Sequence, residues 1–432
     1  MNASPRAVIT GLGLITSIGI GKDAFWEATL AGKSGGRKVE FPWMHPGRFN
    51  CQVGAPVLGF DHRDFDLRDR EAALLDRVSA YAIAGALMAL RDAGFELVAG
   101  NGKRQAYTVQ GVPPERLAVI LGTGIGGIAT TEASHQWWTR DPDGQFKRYA
   151  LPMIIPNAPP AQVAIRFSAN GECKAVATAC AAGTMAIGDA YRSILLGESD
   201  VIITGGVDAV LSGHDGWGMK GFDMLKAMST RNHDPEHASR PFDRERDGFV
   251  LSEGGGVLIL EREELARARG ARIYAEIRGY ETNCDAHHIV MIDPSGRQIS
   301  RLMSELLRRT GTSPGDIQYI NAHGTSTQLN DRTETACIRQ VFGKHAADLL
   351  VSSTKSQTGH AIGGSGGIEA AATALAIHSG QVPPTINYEH PDPECDLNYV
   401  PNKPVEKRID LALSNSYGFG GHNAALLISR HQ

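Results

Sequence analysis

One segment of the chain could supply a reactive thiol. Cys180 lies in Ala175–Thr184, AVATACAAGT, where a short β-like run ends and small residues open a predicted helix, Met185–Leu196. A cysteine at a helix N-terminus feels the positive end of the helix dipole, which favours the thiolate and lowers the thiol pKa. Its small neighbours let backbone N–H groups approach a substrate carbonyl oxygen. We therefore predict a nucleophile, with a buried structural cysteine as the alternative.

Two histidines and a lysine further along the chain could assist such a thiol. His323 follows the strand-like Tyr319–Ala322 in NAHGTST, and Lys355 and His360 follow a second strand-like run in STKSQTGH. Histidine transfers protons and donates hydrogen bonds near neutral pH. A metal site is the competing interpretation, but the ligand spacing of zinc clusters is absent from this sequence. We predict that both histidines and the lysine act with Cys180 in one site.

The composition is that of a folded globular protein. The chain has 432 residues, 42% hydrophobic and 21% charged, so we expect two domains or two fused halves. A net charge of -4 argues against nucleic acid as a partner. No apolar run approaches the roughly 20 residues that a membrane-spanning helix requires. Six scattered cysteines without CxxC spacing predict reduced thiols and a cytoplasmic protein.

The order of predicted elements indicates α/β layering. Short β-branched runs such as Leu117–Leu121 alternate with helical patterns such as Glu71–Ala93. Similar elements recur on both sides of the charged segment Arg262–Arg272. We therefore predict two related halves, residues 1–265 carrying the cysteine and residues 266–432 carrying the two histidines.

Motifs along nearly the whole chain resemble one family. They are VITGLG at Val8, GTGIGG at Gly122, ATACAAGT at Ala177, MSTRN at Met228, SRPFDRERDGFVLSEGGG at Ser239, NAHGTST at Asn321, VSSTKSQTGH at Val351, PPTIN at Pro383 and GFGG at Gly418. They are similar to those of the β-ketoacyl-ACP synthases I and II, elongating condensing enzymes of the thiolase superfamily, and of type II polyketide ketosynthases. The resemblance implies the thiolase-like fold, a five-layered αβαβα sandwich of two related halves.

The resemblance also implies a reaction. An acyl chain would be held as a thioester on Cys180 and extended by decarboxylating a malonyl group carried on an acyl carrier protein. Cys180, His323 and His360 match the family's triad, in which the histidines act on the malonyl unit. The backbone N–H groups of Cys180 and Phe419 match the oxyanion hole, and Phe419 matches the gate between the acyl and malonyl sites. No cofactor is bound permanently, because substrates arrive on the phosphopantetheine of the carrier protein.

Further residues of the site are implied by the same resemblance. Lys355 matches a lysine that orders the triad, with Glu334 and Glu369 at the positions of its carboxylate partners. Thr325 and Thr327 match the threonines that bind the pantetheine arm, and Ile125 and Phe222 match the acyl pocket.

The GTGIGG motif also satisfies the dinucleotide-binding pattern GxGxxG. It is followed by IATTEASHQWW rather than by the small-residue helix that dinucleotide binding requires. In addition, no acidic residue ends a second strand about 20 positions on. We therefore favour the acyl pocket for this turn.

Several other functions have to be weighed against this one. Initiating synthases pair the cysteine with His and Asn, and thiolases pair it with His and a second Cys, so His360 favours an elongating synthase. A non-catalytic chain-length factor would lack Cys180. A cysteine hydrolase would not need the second histidine. We predict a synthase of fatty-acid elongation; the alternative is the ketosynthase subunit of a type II polyketide or polyene synthase, paired with a chain-length factor.

Three departures from the commonest family pattern bear on substrates and partners. Val290, in DAHHIVMIDP, replaces a threonine beside the malonyl site, and Leu211–Phe222 is longer than usual. Ala73–Leu74 is apolar where several relatives carry basic residues that dock the carrier protein.

The family resemblance also implies the partners of this protein. They are an acyl carrier protein and a second subunit, as a homodimer or as a heterodimer with a chain-length-factor-like chain. Basic side chains near a pocket mouth steer an acidic partner, so we predict carrier docking at Lys147, Arg148 and Lys226.

Overall fold

The computed structural model describes residues 5–40, 44, 47–100, 106–140, 148–211, 213 and 216–432. The strands of this part of the chain are β1 (Ala7–Thr16), β2 (Gly19–Ile20), β3 (Arg37–Lys38), β4 (Val53–Ala55), β5 (Leu97–Ala99), β6 (Tyr107–Val109), β7 (Leu117–Gly122), β8 (Cys173–Val176), β9 (Val201–Asp208), β10 (Leu251–Ser252), β11 (Gly254–Arg262), β12 (Ala275–Cys284), β13 (Tyr319–Asn321), β14 (Leu350–Ser352), β15 (Gln381–Val382), β16 (Val405–Glu406), β17 (Leu411–Gly418) and β18 (His422–Ser429). The α-helices are α1 (Lys22–Leu30), α2 (Asp69–Ala72), α3 (Arg77–Asp92), α4 (Ile128–Arg140), α5 (Ala150–Ile154), α6 (Ala158–Phe167), α7 (Ala182–Leu195), α8 (Trp217–Met224), α9 (Glu263–Ala268), α10 (Arg297–Thr310), α11 (Gln328–Phe342), α12 (Lys355–Thr358) and α13 (Ser365–Ser379).

Ten strands form two five-stranded arrays with the same topology. The first runs β8-β7-β9-β11-β1 and the second β14-β13-β17-β18-β12. In each array the first three strands are parallel and the last two pair antiparallel. A short antiparallel contact between β1 and β12, from Ala7↔Ile277 to Ile9↔Ala275, joins the arrays. The shared strand order means that the two arrays repeat one architectural unit.

Helices enclose the arrays and also separate them. The helices α7 and α13 pack against each other and against strands of both arrays. The helices α3 and α6 cover the outer face of the first array, and α10 packs on the second beside α11. This is the five-layered αβαβα arrangement expected from the sequence. Helix α9 lies between β11 and β12, while the division into residues 1–265 and 266–432 stays a prediction.

The central helices are built from small and apolar residues. Helix α13, SGGIEAAATALAIHS, is buried along almost its whole length, which is typical of a helix covered on all sides. A Cβ added to Gly183 of α7 would lie 2.8 Å from the Gly363 oxygen and 2.9 Å from the Gly367 nitrogen. Small side chains therefore let α7 and α13 approach closely between the arrays.

One predicted helix is divided in the structure. The segment predicted as one helix, Glu71–Ala93, forms the end of α2 and the whole of α3. Asp76 separates them, because its side chain accepts a hydrogen bond from Val78 N at 3.1 Å and caps α3. Leu74 precedes this cap and is 47% exposed.

The central layer yields a stability prediction. Ile187 of α7 is fully buried in the core that joins both arrays. Ile187→Ala is expected to lower the free energy of unfolding by about 2 to 5 kcal/mol, because it leaves a cavity. Urea denaturation measures the change. Leu196→Ala, at a 73% exposed position at the end of the same helix, is the control and is expected to have little effect. Equal losses in the two variants would contradict the prediction.

Candidate active site

Cys180 lies on a sharp turn between a strand and a helix. The 3-10 turn Ala179–Ala181 follows β8 and leads directly into α7. Ala179 has φ of +48°, a left-handed conformation that is uncommon for a residue with a Cβ. The turn brings Cys180 to the N-terminus of α7, as the sequence predicted, and its side chain is 4% exposed.

The prediction that the Cys180 thiol has a lowered pKa was wrong. Burial raises the pKa of this thiol to about 11, because the thiolate would lose its contact with water. The positive charge of Lys355 and a hydrogen bond from the backbone N–H of Phe419 lower the pKa but do not offset burial. The resting side chain is therefore a thiol.

The two predicted histidines lie side by side. His323 and His360 follow β13 and β14, and because these strands are parallel neighbours, their carboxyl ends meet at one edge of the second array. The imidazole centroids are 5.5 Å apart and the rings are nearly perpendicular. Burial and the charge of Lys355 hold the pKa of both imidazoles well below the usual value, so both are neutral.

A buried lysine orders His323. Lys355 Nζ donates to the His323 carbonyl at 2.7 Å and lies 3.3 Å from His323 Nδ1, which places the imidazole proton on Nε2. The same ammonium forms an ion pair with Glu369. Glu334 accepts hydrogen bonds from the backbone N–H groups of His323 and Gly324, both at 2.9 Å. Glu334 and Lys355 thus hold the backbone at His323 directly, and Glu369 acts on it through Lys355.

Both carboxyl groups have raised pKa values. Burial raises the pKa of Glu369 to about 6 although the Lys355 ammonium opposes the change. Burial likewise raises the pKa of Glu334 to about 7, against two backbone hydrogen bonds. With a pKa of about 6, Glu369 is ionised at neutral pH, where it pairs with Lys355.

Two cavities meet at Cys180. One, of about 420 Å³, has mostly apolar walls that include Ile125, Phe222 and Trp217. The other, of about 340 Å³, has more polar walls that include the two histidines. Both are lined by the following side chains: Cys180, Phe222, Leu225, Ile362 and Phe419. An apolar ligand chain in the mostly apolar cavity and a polar ligand group in the more polar cavity would both reach the Cys180 thiol.

Phe419 lies on the glycine-rich turn between β17 and β18. Its half-buried ring lies 6.2 Å from the ring of Phe222, between the two cavities. Gly420 has φ of +81° and donates from its N–H to the Ile289 carbonyl at 2.8 Å. The turn is thus tied to the segment that carries Val290, which lines the more polar cavity.

The remaining predicted residues differ in their relation to this site. Thr325 and Thr327 line the more polar cavity, with their hydroxyl oxygens 2.9 Å apart. Lys226 is exposed and lines the same cavity. Arg148 is exposed beside the Tyr149 ring, and its side chain lines neither cavity. Lys147 lies outside the described residues.

Two residues near the site were not predicted. His360 Nδ1 lies 2.9 Å from the Ser365 hydroxyl, which orients the ring. Asp208, at the end of β9, is completely buried behind the turn that follows β7 and carries Ile125. Its signal in the sequence is an acidic residue ending an otherwise uncharged strand, VIITGGVD.

Two further observations concern possible ligands and membranes. Within the described ranges, no group of three His, Cys, Asp or Glu side chains is arranged to hold a metal ion. None of the helices in those ranges has the length and hydropathy needed to cross a membrane.

Comparison with known proteins identifies the class. The sequence model described as "Beta-ketoacyl synthase, N-terminal domain" matches residues 5–266, and "Beta-ketoacyl synthase, C-terminal domain" matches residues 274–389. The chain belongs to the β-ketoacyl synthase family. It is therefore a condensing enzyme of the acyltransferase class with the thiolase-like fold.

Individual relatives extend over the full chain. It is 44% identical over 428 residues to "3-oxoacyl-[acyl-carrier-protein] synthase 2" of Synechocystis sp., covering 99% of this chain and 98% of the relative. It is 40% identical over 436 residues to the protein of the same name in Staphylococcus aureus, covering 100% of both.

Solved structures of ketosynthases are also similar. One is a type II polyketide acyl carrier protein in complex with its ketosynthase bound to the hexaketide (TM-score 0.89, 32% identity, 100% of both chains). Another is the ishigamide ketosynthase/chain length factor (TM-score 0.88, 32% identity, 100% of both chains).

The raised thiol pKa yields a pH prediction. A pKa of about 11 leaves about one thiol in a thousand ionised at pH 8. Alkylation of Cys180 by iodoacetamide is therefore expected to accelerate about tenfold per pH unit between pH 8 and 10, since the thiolate is the nucleophile. Peptide mass spectrometry measures the rate, and Cys180→Ser identifies adducts on other cysteines. A rate that is already constant above pH 8 would contradict the prediction.

Proposed function

We propose that this condensing enzyme is a 3-oxoacyl-ACP synthase of fatty-acid elongation that performs a decarboxylative Claisen condensation between an acyl chain and malonyl-ACP. The observation that carries the proposal is the meeting of a largely apolar cavity and a more polar cavity at one thiol beside two neutral histidines. The full-length similarity to proteins named 3-oxoacyl-[acyl-carrier-protein] synthase 2, at 40–44% identity, supports the pathway.

The first half-reaction transfers the acyl group to Cys180. The sulfur attacks the carbonyl carbon of the incoming thioester, and the carbon–sulfur bond to pantetheine breaks. The pantetheine thiol leaves with the proton that Cys180 gives up. The backbone N–H groups of Cys180 and Phe419 bind the oxyanion, and both groups lie close to the sulfur. The chain extends into the cavity beside Ile125 and Phe222.

The second half-reaction forms the new carbon–carbon bond. The malonyl carboxylate leaves as carbon dioxide, and its bonding electrons form an enolate on the remaining thioester. The neutral imidazoles of His323 and His360 donate hydrogen bonds to the developing enolate oxygen. The enolate carbon attacks the Cys180 thioester and releases the thiolate, which takes up a proton from solvent. The 3-oxoacyl product remains on the carrier protein.

Other residues hold these groups in place. Lys355 fixes the proton of His323 on Nε2, where it can reach the substrate. Thr325 and Thr327 bind the pantetheine arm that enters the more polar cavity. Phe419 gates the passage between the cavities: an open turn admits the acyl chain, and a closed turn completes the oxyanion hole. Substrates arrive on phosphopantetheine, so no resident cofactor is required.

One alternative to fatty-acid elongation has structural support, which is a ketosynthase of polyketide synthesis. Polyketide ketosynthases share the fold at TM-scores of 0.88 and 0.89, and one of these structures is a ketosynthase/chain length factor. If this chain is a polyketide ketosynthase, its partner subunit would be a chain-length-factor-like chain rather than a second copy of itself. An elongation assay of the chain expressed alone separates these functions, because only a homodimer would be active without a second gene product.

The six unpaired cysteines support a cytoplasmic location, where thiols stay reduced.

Variants of Cys180 test whether this residue carries the acyl group while the histidines act on the malonyl group. Cys180→Ser and Cys180→Ala are expected to abolish stable acylation by acyl-ACP, because only the thiol can form the thioester. Cys180→Gln is expected to abolish condensation while malonyl decarboxylation is kept or increased, because the histidines act on malonyl. Intact-mass and peptide spectra locate the acyl group, and carbon dioxide release measures decarboxylation. An acyl group on another residue of the wild-type enzyme would overturn the assignment.

Charge reversal tests the carrier-docking surface. Lys226→Glu and Arg148→Glu are expected to raise the KM for the carrier-bound substrate by about two- to fivefold, because basic side chains steer an acidic partner. The increase is expected to be larger at low salt than at high salt. Steady-state kinetics at two ionic strengths measure it.

A matched control distinguishes docking from a general charge effect. Lys344→Glu changes the same charge at an exposed position on the side of β14 away from the site. Its KM is expected to stay at the wild-type value. If Lys226→Glu and Arg148→Glu behave like Lys344→Glu, neither residue belongs to the docking surface.

A further inference from the structure

Asp208 is a buried carboxylate that the mechanism above does not use. Its side chain is 0% exposed and accepts hydrogen bonds from two separate turns. From the turn after β7 it accepts the Thr123 hydroxyl at 2.8 Å, Gly124 N–H at 2.7 Å and Ile125 N–H at 3.3 Å. From the turn after His360 it accepts Gly363 N–H at 2.7 Å. All four donors are neutral groups.

Each of these turns carries a wall of the reaction site. Ile125 lines the mostly apolar cavity, and Ile362 lines both cavities two residues after His360. Ile362 has φ of +48°, which is a rare and strained conformation for a β-branched residue. Such strain persists only where the surroundings hold the backbone, and the neighbouring Gly363 N–H is bound by Asp208.

The two turns also touch each other directly. A Cβ added to Gly124 would lie 2.6 Å from the Ile362 side chain, and one added to Gly363 would lie 2.4 Å from Gly124 N. The turns therefore have little freedom to separate or slide while the carboxylate holds both. A movement of one turn is transmitted to the other.

We propose that Asp208 is a positioning residue that couples the acyl-cavity wall at Ile125 to the turn carrying His360, and so keeps the acyl thioester and the malonyl-handling imidazole in register. The inference rests on the roles proposed above for Cys180 and His360. Asp208 acts through these residues and does not itself touch the substrate.

The chemistry of the side chain suits this role. A carboxylate has two acceptor oxygens that can take several donors, whereas an amide has one acceptor oxygen and an NH₂ group that would face other donors. Burial raises the pKa of Asp208 to about 6, and its hydrogen bonds oppose the change. The group is therefore ionised at neutral pH, where charge-assisted hydrogen bonds are strong.

A second buried carboxylate provides a matched control. Asp76 is 2% exposed and accepts from Thr130 N–H at 2.8 Å, the Thr130 hydroxyl at 2.7 Å and Val78 N–H at 3.1 Å. It joins α3 to α4 and lines neither of the two cavities that meet at Cys180. If Asp208 only stabilised the fold, substitution of either carboxylate would affect stability alone.

The experiment compares Asp208→Asn with Asp76→Asn per folded enzyme. Three quantities are measured: the rate of condensation with a short and a long acyl-ACP, malonyl decarboxylation in the Cys180→Gln background, and the melting temperature. Asp208→Asn is expected to lower condensation and decarboxylation by about tenfold or more, because small displacements of reacting groups are costly. It is also expected to change the ratio of kcat/KM for long and short acyl chains by roughly threefold, because the Ile125 wall moves. Asp76→Asn is expected to lower the melting temperature with both activities within about twofold of wild type.

A milder pair covers the case in which Asp208→Asn does not fold. Thr123→Val removes the hydrogen bond from the Thr123 hydroxyl to Asp208 and the one that this hydroxyl accepts from Gly126 N–H, and Thr123→Ser keeps both. Thr123→Val is expected to lower decarboxylation and shift chain preference in the same direction, by about threefold, and Thr123→Ser to restore both. Equal behaviour of Thr123→Val and Thr123→Ser, or of Asp208→Asn and Asp76→Asn, would overturn the inference. A wild-type enzyme without either half-reaction would instead contradict the proposed function on which the inference rests.

Discussion

The buried ion pair between Lys355 and Glu369 is the interaction on which the site depends. Lys355 fixes the tautomer of His323, and its charge lowers the pKa of both imidazoles and opposes the burial effect at Cys180. Such a pair is not a simple source of stability, because removing both charges from water is costly. Removing one partner is worse, since it typically costs about 3 to 5 kcal/mol. Burial is the main reason that both histidines are neutral, and the charge of Lys355, held in place by Glu369, adds to this effect.

The repeated architecture explains how the pair and the thiol meet. Each array has parallel strands whose carboxyl ends lead into functional turns. The first array supplies Cys180 and Asp208, and the second supplies the two histidines and the lysine. The site forms where these two edges approach each other beside α7 and α13. Neither half contains the complete set of groups, so the chemistry depends on their packing.

The sequence predicted most of the side chains that meet at the candidate site, because they lie in contiguous motifs with a clear strand-to-turn setting. Cys180, His323, Lys355 and His360 are examples, and the family resemblance added Glu334 and Glu369. Quantities that depend on distant contacts were not predictable. The direction of the Cys180 pKa shift depends on burial by several segments, and the hydrogen bonds to Asp208 come from two turns more than 200 residues apart. The division of the helix at Asp76 arose from a side-chain cap that competes with a continuous helical pattern.

The close packing of α7 and α13 has a consequence for how this enzyme can change. Cys180 lies in the turn that leads into α7, and His360 lies in the segment that leads into α13, so we infer that the thickness of this helical layer limits the spacing between the thiol and the imidazole. Larger residues at Gly183 or Gly367, where α7 contacts α13, would push the two helices apart and widen that spacing. The distance between the two helices therefore limits how far the thiol and the imidazole can lie from each other. Cavity walls such as Phe222 can vary with the substrate, whereas this inner contact has to keep its dimensions for any substrate to react.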